Sequence, residues 1–171
     1  MKRLLYLSVF VLAMLSISQS AIAQKYGHIN AGNLLVQMPA TKAADSELEA
    51  YQKQLGAAFE KKVNNFRERA GKFLKDAQGG VLPQIEIQKK QAEFAKEEQV
   101  LAQEEQDILT KVQKKREELL KPILEKVNAA INKIGKEKGY SMIFDTSVMN
   151  TVLFAQDSDD VMALVKAELG L

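Results

Sequence analysis

A run of helix-forming residues from Thr41 to Lys138 is broken once, at Gly79-Gly80-Val81-Leu82-Pro83, and no other feature constrains the chain as much. Before the break, Leu48, Tyr51, Leu55, Phe59, Val63, Phe66, Ala70, Phe73 and Ala77 recur every three or four residues, as one stripe of an α-helix requires. After it, Ile87, Phe94, Leu101 and Ile108 recur every seventh residue, with Val112 one turn further on. The stripes mirror each other about residue 80. Phe73 and Ile87 lie seven positions from it, Phe66 and Phe94 fourteen, Phe59 and Leu101 twenty-one, Leu48 and Val112 thirty-two. A chain that reverses at the glycines would join each pair, with Phe66 against Phe94 as the central aromatic rung. The spacing predicts an antiparallel helical hairpin.

Its seam is thin. The second arm offers about one large apolar residue per heptad between Ile87 and Ile108, where a durable two-stranded coil uses about two. Gly56 and Gly71 weaken it further, since a glycine inside a helix costs roughly 1 kcal/mol relative to alanine. A first helix over residues 41–77 is about 55 Å long. Such an arm is too long and too poor in apolar side chains to fold into a compact core.

The segments around the hairpin read differently. Lys2-Arg3, the apolar run Leu4 to Ile17 and the small-x-small site Ala21-Ile22-Ala23 form a secretory signal, too short in its apolar part for a membrane span. Cleavage after Ala23 leaves one domain, 24–171: a body from 24–40 and 119–171, and an arm, 41–118, with its tip near 79–83. Lys25 to Asn30 reads as a strand, as do Tyr140 to Asp145 and Val152 to Ala155. Ser158-Asp159-Asp160 caps a final helix carrying Val161, Met162, Leu164, Val165 and Leu169. Leu119, Leu120, Ile123, Leu124, Val127, Ala130, Ile131 and Ile134 make a wide apolar face after the arm, and Pro122 is expected to kink the helix there. Three short strands with two helix segments are a poor core for a monomer, so several copies are expected to share one. The fold class is mainly α with a small β body (α+β).

Charge and chemistry exclude much. The sequence holds 24 basic and 22 acidic residues, and loss of Lys2 and Arg3 leaves the mature chain formally neutral. Yet from Lys61 to Lys96 nine basic residues face four acidic ones, so the outer arm is positive. There is no cysteine, hence no disulfide framework or thiolate chemistry. His28 is the one histidine, so neither a histidine-containing triad nor a multi-histidine metal site can form within one chain. The carboxylates stand among lysines at helical surface spacing, where solvated pairing is the ordinary outcome. Gly79-Gly80 lacks the frame of a phosphate-cradling loop. Neither an enzyme nor a cofactor or metal site is expected.

The order of signal, strand, hairpin and strand resembles the Skp/OmpH family of periplasmic chaperones, over the whole mature chain. The resemblance is carried by Leu119-Leu120-Lys121-Pro122-Ile123 with Val127, Ala130 and Ile131, by Glu137-Lys138-Gly139-Tyr140 and Ile143-Phe144-Asp145, and by Leu153-Phe154 and Asp159. Gly27-His28-Ile29-Asn30 and Leu34-Leu35 resemble the family's first strand and turn. The resemblance implies a homotrimer in which short strands of three subunits build a small β-barrel-like body. Three helical arms would enclose a cavity that holds unfolded outer-membrane β-barrel proteins without ATP.

Residues expected to meet clients are Lys61, Lys62, Val63, Arg67, Arg69, Leu74, Lys89, Lys90, Lys96 and Val100. Those expected in the oligomer core are Ile29, Ile123, Val127, Ile131, Ile143, Phe144 and Leu153. A membrane surface is a further expected partner of the basic tip. Nucleic acid is not, given the secretory signal and the lack of a basic motif interleaved with aromatics. The alternative is a structural coiled-coil protein of the cell envelope, which calls for a richer, continuous seam.

Overall fold

The computed structural model describes residues 24–149 and 151–171; the expected signal sequence, 1–23, lies outside them. In chain order the elements are β1 (Lys25–Ile29), α1 (Ala31–Gln37), α2 (Pro39–Gln78), α3 (Gln84–Lys138), β2 (Tyr140–Asp145), a single 3₁₀ turn (Asp157–Asp159) and α4 (Met162–Leu169). Helices α2 and α3 are the two arms of the hairpin. At 40 residues, α2 is about 60 Å long.

The reversal rests on Gly80, whose φ of +69° is left-handed backbone that an L side chain resists. There the Val81 N–H reaches back to the Asp76 carbonyl at 3.2 Å and the Gly80 N–H to that of Ala77 at 3.3 Å, satisfying carbonyls that the end of α2 would leave bare. Pro83 cannot prolong α2, and its own carbonyl accepts from Ile87 at 3.1 Å as α3 begins.

The body core consists of Ile29, Leu34, Met38, Ala44, Ile123, Val127, Ala130, Ile134, Val161 and Val165. It lies between one face of the sheet, α1, the start of α2, the last third of α3, and α4. Strands β1 and β2 pair in parallel, Gly27 opposite Ile143 and Ile29 opposite Asp145, with an irregularity after Lys25. Parallel neighbours need a long crossover, and here the crossover is the arm itself. Gly27 is required by crowding, since a Cβ there would lie 2.9 Å from a ring carbon of Tyr140 and 3.2 Å from Val161.

Three expectations are corrected. Val152 to Ala155 is irregular, because β1's free edge meets Asp160 in a bridge at His28, and the His28 carbonyl accepts from Val161 at 2.9 Å. Among the described residues the body therefore has two strands, not three. Helix α3 runs on through Pro122, which stands one residue before the first buried side chain of that helix, Ile123. The last helix has Val161 at its N-cap and no side-chain cap; the Asp160 carboxylate, one residue earlier, accepts from the Met162 N–H at 2.8 Å, while Asp159 belongs to the 3₁₀ turn. Finally, Ile29, Ile123 and Val127 are 1%, 7% and 3% exposed, covered within one chain, while Leu124 of the same helix is 43% exposed.

Helix α1 was not expected. Asn30 caps it, its side chain accepting from Asn33 N–H at 2.8 Å. The Asp145 carboxylate, at the end of β2, accepts from the Ala31 N–H at 3.1 Å, the Ser147 N–H at 2.9 Å and the Ser147 hydroxyl at 2.8 Å. Burial alone would raise the Asp145 pKa, but these hydrogen bonds outweigh it and hold the carboxyl below its ordinary value.

Candidate functional site

All nine side chains of the first stripe are half-buried, as are Ile87, Phe94, Leu101, Ile108 and Val112. The face each helix turns inward is the one the periodicity predicts. The central rung is present too, with the Phe66 and Phe94 rings 5.8 Å apart and edge-on at 77°. The strict mirror about residue 80 is modified, however. Phe94 also meets Phe73, at 5.4 Å, so it inserts between two residues one heptad apart on α2, as a knob enters a hole.

In two heptads the missing second apolar residue has a physical substitute. Three residues after Phe94 and Leu101 stand Glu97 and Glu104, both half-buried. They reach across the seam to Arg69 and Lys62 respectively. Nearer the body, Glu47 pairs with Lys115 at 2.6 Å. The Glu97 hydrogen bond raises the Arg69 pKa, and that of Glu47 raises the Lys115 pKa, so both cations are held in their charged forms. The sequence carried this signal: Lys62 and Arg69 are one heptad apart, and so are Glu97 and Glu104 in the opposite arm.

This arrangement sorts the residues expected to meet clients. Lys62 and Arg69 are engaged in the seam, Val63 is half-buried in it, and Lys90 pairs with Glu93 on its own helix at 3.1 Å. Lys62, Arg69 and Lys90 keep exposed side chains while paired, at 56%, 46% and 46%. Lys61, Arg67, Lys89 and Lys96 are exposed and join none of the ion pairs among the described residues. Leu74 and Val100 are 55% and 63% exposed. Lys61 and Val100 line one groove of about 390 Å³ on the flank of the arm. A second, of about 360 Å³, lies nearer the tip, between Lys72, Phe73, Leu82 and Phe94. The arm thus offers shallow hollows of mixed apolar and charged lining, with Glu97 and Glu104 beside the cations of the first and Asp76 and Glu86 beside those of the second, not a shaped pocket. Among the described residues no three His, Asp or Glu side chains converge on a point that could hold a metal ion.

The body has an uncovered face of its own. Tyr26, Met142 and Phe144 project from the sheet away from the core, 44%, 58% and 42% exposed. With His28 and Phe154 of the following segment, Tyr26 and Phe144 line an open hollow of about 440 Å³. The His28 ring Nε2–H donates to the Gln156 carbonyl at 3.0 Å and ties that segment to β1. Leu153 and Phe154 point outward, 89% and 83% exposed. Of the residues expected in an oligomer core, Phe144 and Leu153 are open, while Ile131 and Ile143 pack partly against the chain's own core.

A long helical hairpin inserted between two parallel strands of a small α+β body defines an arm-bearing class of protein. The family model described as "Outer membrane protein (OmpH-like)" matches residues 25–169. The chain belongs to the OmpH-like family. Its fold is shared by a crystal structure from Caulobacter crescentus CB15 whose description proposes an outer membrane chaperone (OmpH-like). That likeness has a TM-score of 0.70 at 16% identity, over 88% of this chain and 86% of the other. None of the curated proteins matches the chain.

Proposed function

We propose that the protein is an ATP-independent holdase of the periplasm, reached through a cleaved signal at 1–23, which keeps unfolded outer-membrane β-barrel proteins from aggregating. The observation that carries this reading is an arm about 60 Å long with no buried residue from 45 to 122. Its apolar side chains are rationed between a thin seam and an exposed flank. A binder of many sequences needs many weak contacts on a yielding surface, and Leu74, Val100, Lys61, Arg67, Lys89 and Lys96 supply them. The family and the shared fold support the same reading. A structural rod is the poorer fit, because Glu97 and Glu104 occupy seam positions that a rod would fill with apolar residues.

The working form is a homotrimer whose subunits meet through the uncovered sheet face, Tyr26, Met142 and Phe144, with Leu153 and Phe154. Such a face, left open on a two-stranded sheet, favours association. The basic tip is also proposed to meet a membrane surface.

Light scattering on the purified chain, alone and with a denatured β-barrel protein diluted from urea, tests this. The expected result is a trimer that suppresses aggregation in stoichiometric amounts without nucleotide. A monomer that leaves the aggregation rate unchanged would remove the proposal. Reversing Lys61, Arg67, Lys89 and Lys96 to glutamate should slow capture of an acidic client and leave oligomer size unchanged. Raising salt, which shortens the Debye length below roughly 8 Å above about 0.15 M, should act likewise on capture rate.

A further inference from the structure

The chain has one histidine, and it stands in the face where copies are proposed to meet. His28 lies on β1 opposite Phe144 of β2, two residues after Tyr26, on the side of the sheet turned away from the core. Its ring is half-buried. The segment that follows β2 is pinned at the same residue. The ring Nε2–H donates to the Gln156 carbonyl at 3.0 Å, the backbone bridges to Asp160, and the His28 carbonyl accepts from the Val161 N–H at 2.9 Å. That segment carries no charge between Asp145 and Asp157, and with its Val152 and Phe154 it closes one side of the hollow that Tyr26, His28 and Phe144 line. In a single chain the hollow is open to water. A second copy laid over the face would cover it.

Little in the hollow could compensate a charge on the ring. The groups near it that carry or can gain one are Tyr26 on its own strand, Asp157 and Asp159 on the 3₁₀ turn, and Asp160 in the bridge. The Asp160 carboxylate is committed to the Met162 N–H at 2.8 Å, and Asp157 is exposed. Asp159 lines the hollow, yet among the described residues His28 joins no ion pair. From β2 the face receives only Met142 and Phe144, and residues 151–156 are uncharged. Imidazole is the side chain that changes charge between pH 5 and 8, and taking an unpaired charge out of water is costly.

We infer that His28 is a proton switch on self-association: with the ring neutral, a second copy can cover the apolar face, and with the ring protonated the face stays open to water and the copies part. This rests on the proposal that copies meet through that face, and it adds the condition under which they separate. The sign follows from linkage. The free chain accepts the proton more readily than the assembly does, so association is complete at higher pH and weakens as pH falls.

Between pH 7.5 and 5.5 ordinary carboxylates remain ionised, so the histidine shares this window with the α-amino terminus alone. Sedimentation velocity over a dilution series at fixed salt tests the switch, with helical circular dichroism as the check that the chain stays folded. For the unaltered chain the concentration of half-dissociation should rise about tenfold between the two pH values. His28→Gln keeps an N–H for the Gln156 carbonyl and is uncharged throughout; whatever its own starting value, it should show no rise. Because the histidine is single, its imidazole proton resonance gives a second reading that needs no variant. It should titrate at lower pH in concentrated, assembled samples than in dilute ones.

A rise that persists in His28→Gln would assign the effect to the α-amino group and overturn the switch. Coincident imidazole titrations in dilute and concentrated samples would do the same. An assembly equally stable at both pH values would overturn the switch and leave the assembly standing, whereas a chain monomeric at pH 7.5 throughout the series would remove both.

Discussion

Body and arm are cut from the same helix, and α3 changes character within it. Up to Pro122 it buries nothing, meeting α2 through one apolar residue per heptad and a pair of glutamates. From Ile123 onward Ile123, Val127, Ala130 and Ile134 are buried at successive three- or four-residue steps. Helix propensity is much the same along both halves, so the difference lies in what faces them. The body half meets a sheet, α1 and α4, and can exclude water; the arm half meets one other helix and cannot. A chain can therefore keep a firm anchor and a yielding arm on one continuous backbone by changing only the density of its apolar stripe.

Several substitutions would break or sharpen that contrast. Leu34, fully buried in the body, should cost about 3 kcal/mol when changed to alanine. Phe59→Ala in the arm should cost about 1 kcal/mol, because the ring is only half-buried. Urea unfolding of both variants checks this, and equal costs would erase the distinction. Phe94→Ala removes the knob between Phe66 and Phe73 and should cost about 2 kcal/mol. That loss should appear as faster amide exchange between residues 60 and 100, with exchange in the body unchanged.

Asp145→Asn probes the body at lower amplitude, about 1 kcal/mol at neutral pH. Its folded pKa lies below the ordinary carboxylate value, so its contribution is complete above that value and disappears as pH falls through the folded pKa. The variant and the parent should begin to approach each other in thermal stability below about pH 4 and meet only once the pH is below the folded pKa. Smallest is Gly56→Ala, where an added Cβ meets nothing within 4 Å. It should stabilise the arm by roughly 0.5 to 1 kcal/mol. On the holdase function proposed above, an arm stiffened in this way should protect a narrower range of proteins from aggregation.

The hairpin was legible because its signals are local and periodic: every residue of both stripes faces inward, and the glycine turn sits where the mirror symmetry requires. Phe66 against Phe94 followed from that. What escaped prediction depends on partners distant in sequence. Val152 to Ala155 has strand composition, but a strand exists only where an edge is free, and β1's edge meets Asp160 and Val161. Helix α1 holds Gly32 and Asn33, poor helix formers, and forms because Asn30 and Asp145 satisfy its first N–H groups while Leu34 enters the core. The positive outer arm was overread for a related reason. The cations Lys62 and Arg69 are matched by Glu104 and Glu97, which lie beyond the Lys61 to Lys96 segment in sequence.

The parallel pairing of β1 with β2 bears on how the protein is made. Lys25 and its partner Tyr140 are 115 positions apart, so the first strand emerges long before anything exists for it to pair with. Closing an open loop of that length is slow and entropically costly. The hairpin offers a shorter route, because α2 and α3 can zip from the turn at Gly80 using neighbours that are close in sequence. Each heptad that joins draws the two strands nearer, until the sheet closes as an almost local event. The thin seam that leaves the finished arm yielding is then also the track along which the body is assembled, and a chain whose seam is weakened should fold late before it folds badly.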